Sequence, residues 1–171
     1  PLILPAEGIR TMKVLVVGGG GREHAIIRKI KENPTVEQIF ALPGNGGMAA
    51  DATCVGIAAT DVPAIVAFAK EQQVDYVVVA PDDPLVLGCV DALSAEGFPC
   101  FGPNAAAAAI EGSKVFSKNL MKKYGIPTAA YEVFTEEAAA VEYLKTAPMP
   151  TVIKADGLAL GKGVIIAQNF E

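Results

Sequence analysis

The stretch Val14–Ala25 reads VLVVGGGGREHA, an apolar run that passes directly into four consecutive glycines and then into Arg-Glu-His-Ala. No other feature constrains the fold as much. The apolar run predicts a buried strand, and the residues after the glycines predict a helix. Glycines between them let the backbone turn sharply and lie close to a bound molecule. A helix entered in this way presents unpaired N–H groups at its first turn, where the helix dipole also favours negative charge. Such an end holds an anion without a metal. The chain therefore opens with the signature of a phosphate cradle at the end of a strand.

The alternation continues beyond it. Lys13–Val17 predicts a strand, and Glu23–Asn33 a helix with Ala25, Ile26, Ile27 and Ile30 inward and Pro34 as its stop. Glu37–Leu42 predicts a second strand, followed by the loop Pro43–Gly47. Asp61 is placed as a helix N-cap with Pro63 in the first turn. That helix runs to about Gln72 and has Ile65, Val66, Phe68 and Ala69 to pack. Asp75–Val79 predicts a fully buried strand that ends in Ala80-Pro81-Asp82-Asp83-Pro84. A helix to about Glu96, ended by Gly97, leads to a strand at Pro99–Phe101. Strands and helices at this spacing imply βαβ units, hence a parallel α/β sheet of Rossmann-like type with right-handed crossovers. Ligands bind such sheets beyond the carboxyl ends of the strands. The loops Gly18–Arg22, Pro43–Gly47 and Ala80–Pro84 all emerge there.

The character changes after Gly102-Pro103. An alanine-rich stretch, Ala105–Ala109, precedes Gly112-Ser113-Lys114, and a domain boundary is placed at about residue 112. A helix with Ser113 as N-cap runs to about Tyr124 and ends at Gly125-Ile126-Pro127. Ala130–Phe134 predicts a strand and Thr135–Thr146 a helix capped by Thr135. Thr151–Ala155 and Val164–Ala167 predict strands around a glycine loop, Asp156–Gly163. The expected domains are 12–112 and 113–171. Residues 1–11 lack the basic start and apolar core of a signal peptide and are set aside as a leader.

Half of the 171 residues are apolar, enough for a sizeable core. The net charge of −5 and the lack of a basic patch argue against a nucleic-acid partner. No apolar run approaches the ~18 residues that span a bilayer. The three cysteines, Cys54, Cys89 and Cys100, show no CxxC spacing, which argues against a disulfide scaffold or a zinc site and suits a cytoplasmic protein with reduced thiols.

The first glycine loop is not a dinucleotide fingerprint. G-x-G-x-x-G would need a third glycine at Glu23 or His24, and the second strand ends in Ala-Leu-Pro rather than in an acid. A small phosphorylated substrate fits better than NAD, with Arg22 as a charge-assisted donor. His24 is placed either near that phosphate or in a structural role in the first helical turn. Asp82 is the candidate for sugar hydroxyls or an amine, and Asp83-Pro84 for a helix cap. In IKADGLALGKG (Ile153–Gly163), Lys154 stands inside a strand and Lys162 within a glycine loop, which suits a nucleotide triphosphate. It is not a Walker A loop, since only three residues separate Gly157 from Gly161 and Gly163 follows Lys162.

VVGGGGREHA, PGNGG, VVVAPDDPLVLGCVD, FGPNAAAAAIEGSKVFSK and VIKADGLALGKGVI occur in this order. Together they resemble the N-terminal portion of the phosphoribosylamine–glycine ligase (glycinamide ribonucleotide synthetase) family of the ATP-grasp superfamily, from Met12 to the end. The resemblance implies a Rossmann-like pre-ATP-grasp domain, a linking helix and part of a small α+β subdomain. It implies 5-phosphoribosylamine, glycine and ATP as small-molecule partners, in de novo purine synthesis. Gly19, Gly20, Gly21 and Arg22 would cradle the substrate phosphate, and Asn45, Pro81 and Asp82 would line the same pocket. Lys114, Lys154, Gly157, Gly161, Lys162 and Gly163 would meet the ATP phosphates. The segment commonly Gly-Pro-Glu-Ala-Pro-Leu in that family is Ala80-Pro81-Asp82-Asp83-Pro84-Leu85 here, its acid one methylene shorter. The ligands for Mg2+ or Mn2+ belong to the family's later half. No catalytic residue and no metal ligand is therefore assigned within residues 12–171, and these residues alone are expected not to catalyse the ligation. Another ATP-grasp carboxylate–amine ligase, or a sugar-phosphate-binding module without chemistry, are the alternative readings.

Overall fold

The computed structural model describes residues 11–158 and 163–170. They fall into two compact units, one up to Ala108 and one from Ala109. The first contains β1 (Met12–Gly18), α1 (Gly21–Lys31), β2 (Val36–Pro43), a 3-10 turn at Met48–Ala50, β3 (Thr53–Cys54), α2 (Val62–Glu71), β4 (Tyr76–Val79), α3 (Asp82–Val86), α4 (Cys89–Ala95) and β5 (Cys100–Phe101). The strands form one parallel sheet in the order β3-β2-β1-β4-β5. The Rossmann-like α/β expectation holds.

β1 lies at the centre because both of its faces are apolar. Leu15 and Val17 point to one side and join Phe40, Leu42, Val77 and Val79. Val14 and Val16 point to the other and join Ile39, Ala41 and Val78. The register places Leu15 between Phe40 and Val77, so side chains of three strands stack in one layer. Helix α2 covers the first side through Ile65 and Phe68, whose ring meets Phe40 edge-on at 5.2 Å. Helix α1 covers the second through Ile27. Helices on both faces explain strands that read as continuous apolar runs.

Several boundaries differ from the sequence expectation. Helix α1 starts at Gly21, and its inner face is Glu23, Ile26, Ile27 and Ile30. Ala25 is exposed, because two residues of helix turn it about 200° away from Ile27. The single helix expected up to Glu96 is two, α3 and α4, divided at Gly88, whose φ of +78° cannot continue a helix. Asp83 does not cap α3; Pro81 holds the N-cap position and both aspartates lie in the first turn. Gly97 ends α4 in a Schellman arrangement, with Phe98 N–H bonded to the Leu93 carbonyl and Gly97 N–H to that of Ser94. The two-residue β3 was too short to be read. The alanine stretch belongs to helix α5 (Ala105–Gly112), whose first amide donates to the Asp91 carboxylate at 2.7 Å.

From Ala109 onward the chain forms the rest of α5, α6 (Lys114–Lys123), α7 (Glu137–Leu144) and an antiparallel hairpin of β6 (Thr151–Lys154) and β7 (Val164–Ala167). Ser113 caps α6 as expected, accepting the Phe116 amide. Ala130–Phe134 forms no strand. Side chains of α6 meet this segment and the residues just before it: Lys118 Nζ donates to Thr128 Oγ1 and the Ala129 carbonyl, and the Tyr131 hydroxyl donates to Asn119. Helix α7 begins after Glu136 with no side-chain cap, in place of the Thr135 cap. No helix among the described residues is long and apolar enough to cross a membrane.

Two outcomes follow from this packing. Ile27→Ala empties a fully buried site between α1 and the sheet, and is expected to cost about 2–5 kcal/mol in urea unfolding. In the hairpin, Ile165 and Ile166 point to opposite faces and are 64% and 62% exposed. Such surface favours association. Sedimentation velocity should show concentration-dependent self-association that the double change Ile165→Glu, Ile166→Lys suppresses. A wild-type chain that sediments independently of concentration would contradict this.

Candidate functional site

In a parallel sheet ordered β3-β2-β1-β4-β5, the chain leaves β1 toward one edge and later returns to its other side at β4. The crevice between the carboxyl ends of β1 and β4 is the topological switch point, where ligands of such sheets bind. The glycine loop after β1 and the loop Ala80–Asp82 after β4 flank it.

These loops are held to one another by backbone. The Gly18 carbonyl accepts the Gly44 amide at 3.1 Å, and the Gly19 carbonyl accepts Asn45 Nδ2 at 2.9 Å. Asn45 Oδ1 in turn accepts the amides of Gly47 and Met48. Asn45 thus clamps the second loop onto the first, with most of its amide already engaged. Gly18 has φ +129°, and a Cβ there would stand 2.6 Å from Glu23 Cγ and 2.8 Å from Pro81 Cγ. Pro81 therefore packs directly against the first loop. All three loops expected at this edge meet.

Glu23 is the residue that sequence reading missed. It is 4% exposed, and its Oε2 accepts the Gly20 amide at 2.7 Å. This is the Glu arm of a capping box whose N-cap is a glycine. An acid three residues after the N-cap is the signal that could have found it. The bond removes the Gly20 N–H from the loop's free donors. The N–H groups of Gly21 and Arg22 remain, without intrahelical acceptors, as at any helix start. Gly21 has no atom within 4 Å of where a Cβ would stand, and both Gly21 and Arg22 are exposed. The half-buried Asp82 and Asp83 side chains have no hydrogen-bond partner among the described residues. The two loops that flank the crevice thus carry two backbone donors, an exposed arginine and two half-buried aspartates, residue types that suit a phosphate on the donor side and hydroxyls or an amine on the acceptor side.

His24 takes the structural role. Its Nε2 lies 3.0 Å from Asp51 Oδ2, and Lys31 Nζ donates to Asp51 Oδ1 at 2.9 Å. The His24 hydrogen bond, then that of Lys31, lowers the Asp51 carboxyl to about 2.

The described residues around the second glycine loop lie in the last unit. Lys154 ends β6 and is exposed, with no ion-pair partner among the described residues. Lys114 opens α6 and donates through Nζ to the Gly157 carbonyl at 2.6 Å. Gly163 adjoins β7, while Gly161 and Lys162 lie outside the described residues.

The family model for the phosphoribosylglycinamide synthetase N domain matches residues 12–111, and that for its ATP-grasp (A) domain matches residues 112–171. A phosphoribosylamine–glycine ligase of Allochromatium vinosum is 52% identical over 161 residues, covering 93% of this chain and 38% of the relative. That of Escherichia coli O157:H7 is 51% identical over 162 residues, covering 94% of this chain and again 38% of the relative. The chain thus spans well under half the length of these relatives. A crystal structure of phosphoribosylamine–glycine ligase from Thermotoga maritima superposes with a TM-score of 0.72 at 33% identity, covering 92% of this chain and 36% of that one. Biotin carboxylase from Campylobacter jejuni shares the fold, with a TM-score of 0.74 at 19% identity, over 95% of this chain and 39% of that one.

The low Asp51 pKa has a defined pH consequence. A carboxyl held at about 2 in the folded state, against 3.8 ordinarily, adds stability above about pH 4 that fades as pH falls through 2. The melting-temperature difference between wild type and Asp51→Asn should therefore be full at pH 5, shrink between pH 4 and pH 2, and vanish below that. A difference that stays constant across this window would show that Asp51 is not tied as described.

Proposed function

The chain belongs to the phosphoribosylglycinamide synthetase family, and on that premise we propose that it serves the ATP-dependent ligation of glycine to 5-phosphoribosylamine. The products are glycinamide ribonucleotide, ADP and phosphate. The observation that carries this reading is the glycine loop at the switch point, with its open Gly21 position and the exposed Arg22 beside it. In this proposal Gly19, Gly20, Gly21 and Arg22 form the cradle of the 5-phosphate. The Gly21 and Arg22 amides and the Arg22 guanidinium donate to its oxygens. Pro81 walls the crevice, and Asn45 acts mainly by holding Gly19. Asp82 accepts from the ribose hydroxyls or the amine.

A free carboxylate does not accept an amine, because its oxygen is a poor leaving group. ATP supplies the phosphoryl group that makes that oxygen leave. Lys114, Lys154 and the glycines Gly157 and Gly163 fit a polyphosphate: two cations and a side-chain-free backbone on neighbouring elements. Gly161 and Lys162 are assigned to the same phosphates by resemblance. For Mg2+ or Mn2+ the residues do not suffice, since among the described residues no three His, Cys, Asp or Glu side chains gather as a metal site.

Titration of the 171-residue chain with ribose 5-phosphate, followed by calorimetry, tests the cradle. Binding is expected for ribose 5-phosphate and not for ribose. Arg22→Ala should weaken it about tenfold, the loss of roughly 1.4 kcal/mol of charge-assisted hydrogen bonding. Gly21→Ala adds a methyl group that meets no atom within 4 Å beyond its chain neighbours and its own helix backbone, so it should not lower the melting temperature while reducing affinity. Equal affinity for ribose and ribose 5-phosphate would overturn the phosphate assignment.

A further inference from the structure

The turn that follows β6 is fastened to the start of α6 by one carboxylate. Asp156 Oδ1 accepts the Lys114 amide at 2.7 Å and the Val115 amide at 3.2 Å, and Oδ2 accepts the Ser113 hydroxyl at 3.1 Å. The bond from Lys114 Nζ to the Gly157 carbonyl closes the ring from the other side. The side chains of Ser113 and Asp156 together satisfy the first-turn amides of Lys114, Val115 and Phe116. That is more than one capping residue ordinarily supplies.

We propose that Asp156 is a positioning residue for the two lysines of the nucleotide site: by binding the first turn of α6 to the turn after β6, it fixes where Lys114 stands relative to Lys154. The proposal rests on the reading that these lysines meet ATP phosphates. Lys154 lies two residues before Asp156 at the end of β6, and Lys114 is itself one of the residues that Asp156 grips. Asp156 is exposed, yet the Val115 amide, then the Ser113 hydroxyl and the amides of Gly157 and Lys114, hold its carboxyl below the ordinary range. It stays ionised, and its bonds stay made, at neutral pH.

The sign of the effect separates positioning from plain electrostatics. A carboxylate beside two phosphate-binding lysines repels ATP, so removing it should tighten binding if charge were all that mattered. If it positions them, removing it weakens binding. The affinity of the 171-residue chain for ATP is measured for Asp156→Ala, Asp156→Asn, Lys114→Ala, Lys154→Ala and the double variant of Asp156→Ala with Lys114→Ala, with circular dichroism as the fold check. Asp156→Ala is expected to weaken binding about tenfold, like each lysine change. Asp156→Asn keeps Oδ1 for both amides and should stay within about threefold of wild type. In the Lys114→Ala background, Asp156→Ala should cost less than about threefold, because coupled residues do not add. If Asp156→Ala fails to fold, Asp156→Ser, whose oxygen is one bond shorter, takes its place with the same expected loss. Unchanged or tighter binding in Asp156→Ala, alongside weakened lysine variants, overturns the proposal and leaves the nucleotide reading intact. If neither lysine change alters affinity, the nucleotide reading fails and this proposal falls with it.

Discussion

At Gly18 there is room for a hydrogen atom and nothing larger. A Cβ would enter the van der Waals shells of Glu23 and Pro81 at once, and the backbone adopts φ +129°, which side-chain-bearing residues rarely tolerate. The loops after β1, β2 and β4 are therefore not three neighbours that happen to face one crevice. They are locked by Gly18 packing on Pro81, by the Gly44 amide on the Gly18 carbonyl and by Asn45 on Gly19. Gly21 and Arg22, at the start of α1, stay exposed beside these joined loops.

This division explains why the four glycines are not equivalent. Gly18, Gly19 and Gly20 are each crowded by a protein atom within 3 Å of a would-be Cβ, whereas Gly21 has none within 4 Å. Three of them are glycine because of the protein, and the fourth has space that the protein leaves unused. A run of glycines in a sequence shows only that the backbone must pass closely. Which glycine faces protein and which faces a ligand is decided by the residues folded against it, here Glu23, Pro81 and Gly44.

That distinction also marks how far the sequence could be read. The parallel α/β architecture was legible because burial of both sheet faces leaves near-continuous apolar strands, such as Val14–Val17 and Val77–Val79, that only helices on both sides can cover. The loops of the site were legible through their Gly, Pro and Asn content. Glu23 was not, because a carboxylate in a helix's first turn reads as solvated until the glycine above it is seen to donate. Ala25 is apolar like the isoleucines that follow it, but the phase of the helix that buries Glu23 and Ile27 turns it outward. Tyr131, Val133 and Phe134 suit a strand, but a strand needs a partner, and Ala130–Phe134 pairs with no strand among the described residues.

In the function proposed above, the two glycine loops would hold phosphate by opposite physical routes. In the first, a helix start with unpaired amides supplies the positive end, and its buried carboxylate, Glu23, takes only the Gly20 amide. In the second, the start of α6 is already occupied: Asp156 and Ser113 take the amides of Lys114, Val115 and Phe116. That helix end is no longer an anion site, so attraction for a phosphate there falls to lysine ammonium groups on their flexible stems. Backbone donors fixed by close packing suit a ligand whose phosphate is the handle and does not react. A lysine ammonium is a compact charge with three rotatable donors on a flexible stem, so it can meet phosphate oxygens in more than one arrangement. Fixed backbone amides thus distinguish the first loop, and mobile ammonium groups the second.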